Sequence, residues 1–132
     1  MRRKALGDDS EPVAQTMANM ATVYWKAGND EAAVKNYREA IDRLSQKLGP
    51  EHLYVGRLLG GMGDSLRKLG KYPESEAALE RSLEIQVKAV GEDNVATQRT
   101  IKSLAALYTD WKKPAQAAAY TARLKPAAPA KP

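Results

Sequence analysis

Residues 20–41 read MATVYWKAGNDEAAVKNYREAI. Met20, Ala21 and Tyr24 fall at i, i+1 and i+4. Ala33, Tyr37, Ala40 and Ile41 fall at i, i+4, i+7 and i+8, with Gly28 between the two groups. Apolar residues at that spacing line one face of a helix, and glycine breaks it, so the stretch predicts a helix, a tight turn and a second helix. The pattern returns after 42 residues and again after another 42: Met20, Met62 and Leu104 correspond, as do Ala21, Gly63 and Ala105. Tyr24, Leu66 and Tyr108 share a register, and so do Ala33, Ser75 and Ala117. The preceding loops repeat as Leu6-Gly7, Leu48-Gly49 and Val90-Gly91. A fixed period of this length is the signature of a stacked helical array, whose repeats bury their apolar faces only against neighbours.

The expected elements follow in order. Gly7 to Pro12 is a loop in which Asp8, Asp9 and Ser10 suit an N-cap and Pro12 a first helical turn. Helices are expected over 13–27, 31–47, 53–69, 73–89, 95–111 and 114–124, with Asp30 capping the second, Pro73 opening the fourth and Pro114 the sixth. The repeats run over 7–48, 49–90 and 91–124. Residues 1–6 align with 43–48, so they read either as the end of a preceding repeat helix or as a short basic arm. Residues 125–132 alternate Pro, Ala and Lys, a composition that cannot bury a core and is expected to be disordered or extended.

Composition narrows the chemistry. The 132-residue chain has length for one domain with a core, and with no Cys it can make no disulfide or thiolate. No segment approaches the ~18 apolar residues of a membrane span, and no apolar region follows the basic Met1 to Lys4, so a cytoplasmic location is expected. The net charge of +5 is unevenly placed: all sixteen acids lie within residues 1–111, beside sixteen of the twenty-one bases. The excess is Lys112, Lys113, Arg123, Lys125 and Lys131. That argues against a specific nucleic-acid footprint, which needs a basic stripe on a folded face. Weak binding of an anionic surface through the tail is the form that remains.

Catalysis has few candidates. His52 is the only histidine and sits in an inter-repeat loop, where capping or packing outweighs general-base work. No metal set can be assembled, and the serines lack an adjacent base or a nucleophile-elbow context. Gly56, Gly60, Gly61 and Gly63 mimic a phosphate loop, but no Gly-Lys-Ser/Thr ending follows and the cluster lies in a helix. Gly63 matches the close-packing register. Gly60 and Gly61 read either as local weakness in the helix or as an opening in a groove floor for a ligand backbone. The expectation is therefore no enzyme, no cofactor and no metal.

Ala21, Tyr24, Gly28, Ala33, Tyr37 and Ala40, with Leu48-Gly49-Pro50-Glu51-His52, resemble the tetratricopeptide repeat (TPR) in its 42-residue, kinesin-light-chain-like form, which is frequent in bacterial proteins. The likeness covers residues 1–124. Repeat 2 departs at Leu66, Ser75 and Ser82; repeat 3 departs at Lys112, Thr121 and Leu124. The resemblance implies an all-α, right-handed solenoid of three helix-turn-helix repeats and six helices. It also implies a concave face built by the first helix of each pair, with protein or peptide partners held there. On that face the family pattern places Asn19 and Lys26 in repeat 1, Arg57, Asp64 and Lys68 in repeat 2, and Arg99 and Lys102 in repeat 3. Helices 13–27, 55–69 and 95–111 together hold six bases and two acids, which favours an acidic or carboxylate-bearing peptide through charge-assisted bonds. Asn19 matches the family's backbone-binding asparagine. A chaperone-type carboxylate clamp would use Ala18, Thr22, Gly61, Arg99 and Ser103, of which only Arg99 has the right character. Trp25 and Trp111 fall near helix ends, where packing on the adjacent turn competes with a peptide-anchor role. Apolar end faces would make the chain a self-assembling spacer instead.

Overall fold

The computed structural model describes residues 11–126, and within them the chain forms six α-helices. These are α1 (Glu11–Lys26), α2 (Asp30–Leu48), α3 (Leu53–Lys68), α4 (Tyr72–Val90), α5 (Val95–Asp110) and α6 (Pro114–Thr121). The helices pair as α1–α2, α3–α4 and α5–α6, and each pair stacks on the next through α2–α3 and α4–α5. The first helices also touch along one side, α1 against α3 and α3 against α5. The result is the all-α solenoid that the period implies. The readings of residues 1–10 and 127–132 lie outside the described residues.

Local chemistry sets the helix ends. Gly28 and Gly70 turn the chain within repeats 1 and 2 at φ +82° and +78°. The equivalent third position is Lys112, which holds φ +61° without glycine's freedom. Asn29, rather than Asp30, caps α2: its side chain accepts from the Ala32 N–H at 3.2 Å, and Asp30 stands in the first turn. His52 caps α3, its Nδ1 accepting from the Tyr54 N–H at 3.0 Å, and Asn94 does the same for α5 one period later. Tyr72, not Pro73, is the first residue of α4.

The sixth helix stops at Thr121, three residues before the expected end. The chain is diverted there. Arg123 donates both Nε and Nη2 to Glu92 at 3.1 and 2.9 Å, and Gln98 donates to the Arg123 carbonyl while accepting from the Lys125 N–H. Lys125 also pairs with Asp93 at 3.7 Å. Residues 123–125 are thus tied to the α4–α5 loop and the start of α5.

One apolar core runs through α1 to α4, centred on Ala21, Ala33, Ala40, Leu44, Val55 and Leu66. A second joins Leu79 and Leu83 of α4 to Ile101, Leu104 and Leu107 of α5 and Ala117 of α6. The glycines of α3 are packing devices. A Cβ at Gly63 would lie 2.5 Å from Leu79 Cγ, and one at Gly56 2.9 Å from Ile85 Cγ2. Ser75 and Ser82 exploit the close approach: they donate to the carbonyls of Gly63 and Gly56 at 2.7 and 2.6 Å, which satisfies two buried hydroxyls.

Candidate functional groove

Helices α1, α3 and α5 line a cavity of about 250 Å³ on their shared side. Four of the sequence-derived positions meet there: Asn19 from α1, Arg57 and Asp64 from α3, and Arg99 from α5. Lys68 stands beside them, its Nζ 5.1 Å from the centroid of the Trp25 ring. Lys26 and Lys102 are exposed on α1 and α5 and do not line the cavity. Arg57 and Arg99, one period apart, are both exposed at its edge, and the Arg57 guanidinium is 5.8 Å from the Tyr54 ring centroid.

The register explains the geometry on α3. Arg57, Gly61, Asp64 and Lys68 fall at i, i+4, i+7 and i+11, one stripe of a helix. Two cations therefore bracket a carboxyl group. Burial pushes the Asp64 carboxyl above its ordinary range, opposed by a hydrogen bond with Ser103 and by the charges of Arg67, Lys68 and Arg99. Arg67 turns across to Asp110 of α5 at 2.9 Å and fastens the two helices together.

Gly60 and Gly61 fit neither of their two readings as stated, because neighbouring side chains stand against both. Gly61 is not open floor: a Cβ there would sit 2.7 Å from the Tyr37 hydroxyl and ring, so the missing side chain makes room for Tyr37 of α2. A Cβ at Gly60 would lie 3.2 Å from Ser82 Oγ and 3.7 Å from Thr100 Oγ1. Both glycines border the cavity, and both are also occupied from behind.

Of the two tryptophans weighed between packing and an anchor role, Trp25 lines the cavity, whereas Trp111 packs between Tyr72 and Tyr108 at 5.7 and 6.1 Å. Other lining residues escaped sequence reasoning. Tyr37 and Gln86 enter from the second helices of their pairs. Gln86 accepts from Thr100 Oγ1 at 2.6 Å in a buried bond. One period earlier the same two registers hold Leu44 and Leu58, both in the apolar core. That Leu-to-polar change was visible in the repeat alignment.

The family model for the tetratricopeptide repeat matches residues 1–46, 13–85 and 54–124. This chain belongs to the tetratricopeptide repeat family. Among curated proteins it is 31% identical over 93 residues to Nephrocystin-3 of Mus musculus, covering 68% of this chain and 7% of that protein. It is 30% identical over 108 residues to Protein KINESIN LIGHT CHAIN-RELATED 1 of Arabidopsis thaliana, covering 77% and 17%. The chain thus spans less than a fifth of either relative's length. The crystal structure of BtubC (BKLC) from P. vanneervenii superposes with a TM-score of 0.83 at 17% identity, over 92% of this chain and 48% of that one. The solenoid and its kinesin-light-chain-like character rest on these likenesses together. Tetratricopeptide repeats are in general protein-protein interaction scaffolds. Among the described residues no helix is long and apolar enough to cross a membrane.

Proposed function

We propose that this chain is a non-catalytic interaction module that holds an acidic segment of a protein partner in the groove between α1, α3 and α5. The observation that carries the reading is that Arg57, Arg99 and Asn19 line one cavity. Guanidinium groups bind carboxylates in paired, charge-assisted bonds, and an asparagine amide can pair with an extended backbone. Tyr54 and Trp25 add aromatic surface to the lining. The test is fluorescence anisotropy of a labelled oligoglutamate peptide against wild type and the double variant Arg57→Glu/Arg99→Glu, with circular dichroism to show that both are folded. Binding by wild type that weakens with salt and vanishes in the variant supports the groove. Equal binding by the two proteins rejects it.

A second reading has its own observation. Met20 and Val23 of α1 are 43% and 65% exposed. Their equivalents one period on, Met62 and Ser65, are 8% and 0% exposed. An apolar face in a stacking register favours end-to-end association of the solenoid. Mass measured across a dilution series tests it, with Met20→Glu/Val23→Lys expected to remain monomeric. Binding of nucleic acid through the C-terminal bases is less favoured, since Arg123 and Lys125 are engaged by Glu92 and Asp93 and the Lys113 Nζ sits 3.9 Å from the Trp111 ring centroid.

A further inference from the structure

Among the described residues five large apolar side chains are exposed: Met20 and Val23 on α1, and Val87, Val90 and Val95 around the α4–α5 loop. Lys88, Glu92 and Asp93 interrupt the loop group. Nothing charged interrupts the pair on α1. Residues 12–25 contain no Asp, Glu, Lys or Arg, the longest such run in a chain that is 28% charged. Helix α1 therefore presents Thr16, Met20 and Val23 to solvent at i, i+4 and i+7 with no charge between them. An exposed apolar stripe without charges is matched by another uncharged face.

The interior seams show what covers this register. Tyr37 of α2 seats against Gly61 of α3. Leu79 and Leu83 of α4 pack with Leu104 and Leu107 of α5, the equivalents of Met20 and Val23 two periods on. The covering positions are thus Tyr37 and Ile41 in α2, and Leu79 and Leu83 in α4, all buried. In the third repeat the same positions are Thr121 and Lys125, both exposed, and Lys125 is engaged by Asp93 at 3.7 Å. Helix α6 is uncharged over 114–122, but its exposed residues are Pro114, Gln116, Thr121 and alanines. It carries nothing of the size that fills the interior seams. The α6 side of the solenoid does not offer α1 what α2 and α4 offer α3 and α5.

We infer that α1 is the interface of a closed two-fold dimer with a second copy of this chain, in which the two α1 helices lie antiparallel. The inference rests on the end-to-end reading above and fixes which ends meet. A face with no complement at the other end of the molecule is matched by itself, and such an isologous contact closes at two copies. Met20 lies nearest the axis, and Val23 of each copy meets the Thr16 turn of the other. An interface centred on one helix from each side is small, so the dissociation constant should be on the order of 0.1 mM. Single chains then prevail in dilute solution.

The chain has no Cys, so single introduced cysteines report the contact directly. Oxidised at high concentration, Met20→Cys should link to itself, because a residue at a two-fold axis meets its own copy within disulfide reach. Ala118→Cys on α6 should link to itself no faster than Lys35→Cys, an exposed control on α2. Met20→Cys mixed with a mass-tagged Ala118→Cys should give no mixed dimer. Sedimentation velocity of the unsubstituted chain should show the mass rising with concentration to two copies and stopping there. Met20→Glu, shown by circular dichroism to be folded, puts a charge into the seam and should weaken the dimer at least about tenfold. Added salt should change the dissociation constant less than about twofold. Mixed dimers with masses beyond two copies would overturn the closed dimer and leave end-to-end association standing. A dimer that survives Met20→Glu would place the contact elsewhere and overturn the assignment to α1. A single mass at every concentration, with Met20→Cys linking no faster than Lys35→Cys, would overturn both readings.

Discussion

Helices α1 and α5 carry the same pattern at the same register and live in opposite surroundings. Thr16, Met20 and Val23 of α1 are exposed, whereas Thr100, Leu104 and Leu107 of α5 are 4%, 0% and 0% exposed. The covering of α5 comes from α4, through Leu79 and Leu83. Burial in a stacked array is thus a property of the neighbour as much as of the residue. The largest expected effect exploits this difference. Leu104→Ala should cost about 2–5 kcal/mol, the usual loss for emptying a filled core site, and Met20→Ala less than about 1 kcal/mol. Urea unfolding of both variants decides it. Similar losses at the two positions would mean that the α1 face is covered in solution.

The next effect sharpens the comparison at the close-packing register, where α1 and α5 carry Ala21 and Ala105 and α3 carries Gly63. A methyl group at Gly63 runs into Leu79 Cγ and Cδ2 at 2.5 and 2.6 Å. Gly63→Ala should therefore destabilise by about 1–3 kcal/mol, although alanine is the better helix former. A stability gain in the same urea assay would show that α4 can retreat. A smaller effect is expected at the turns. Lys112→Gly relieves a left-handed lysine and should stabilise by up to about 1 kcal/mol, net of the extra freedom glycine brings to the unfolded chain. An unchanged or lower melting temperature would count against strain at that turn.

The smallest effect is electrostatic and sits in the groove. Burial raises the Asp64 carboxyl in the folded chain, so more protons are bound there folded than unfolded. The contribution of Asp64 is then fully present below the unfolded carboxylate value and is lost as pH rises through the raised folded value. Tyr37 of α2, Arg57, Arg67 and Lys68 of α3, and Arg99 of α5 stand around it or on its helix face. Asp64→Asn should flatten the stability profile across that window and leave the protein no less stable at neutral pH. A variant that tracks wild type at every pH would show that the carboxyl is well solvated.

Much of the fold was legible because one period governs it. Comparing Met20, Met62 and Leu104 is enough to place the first helices, and the glycines at 28 and 70 place the turns. The misreadings were local contests between similar residues: Asn29 against Asp30 for a cap, and Tyr72 against Pro73 for a helix start. The early end of α6 depends on Arg123 reaching Glu92 from 31 residues away, a contact no local pattern encodes. Within the groove, Asn19, Arg57, Asp64 and Arg99 follow from family spacing on the first helices. Tyr37 does not, because its place depends on how α2 packs across Gly61.

The most direct measurement is a titration of isotope-labelled protein with the oligoglutamate peptide, followed by backbone and side-chain amide NMR. Binding in the groove should shift signals of Asn19, Arg57, Asp64, Arg99 and Ser103, with little change at Lys35, Arg38 or Arg81 on the second helices. Shifts concentrated on those second-helix bases, or spread evenly over every exposed cation, would contradict the groove as the seat of function.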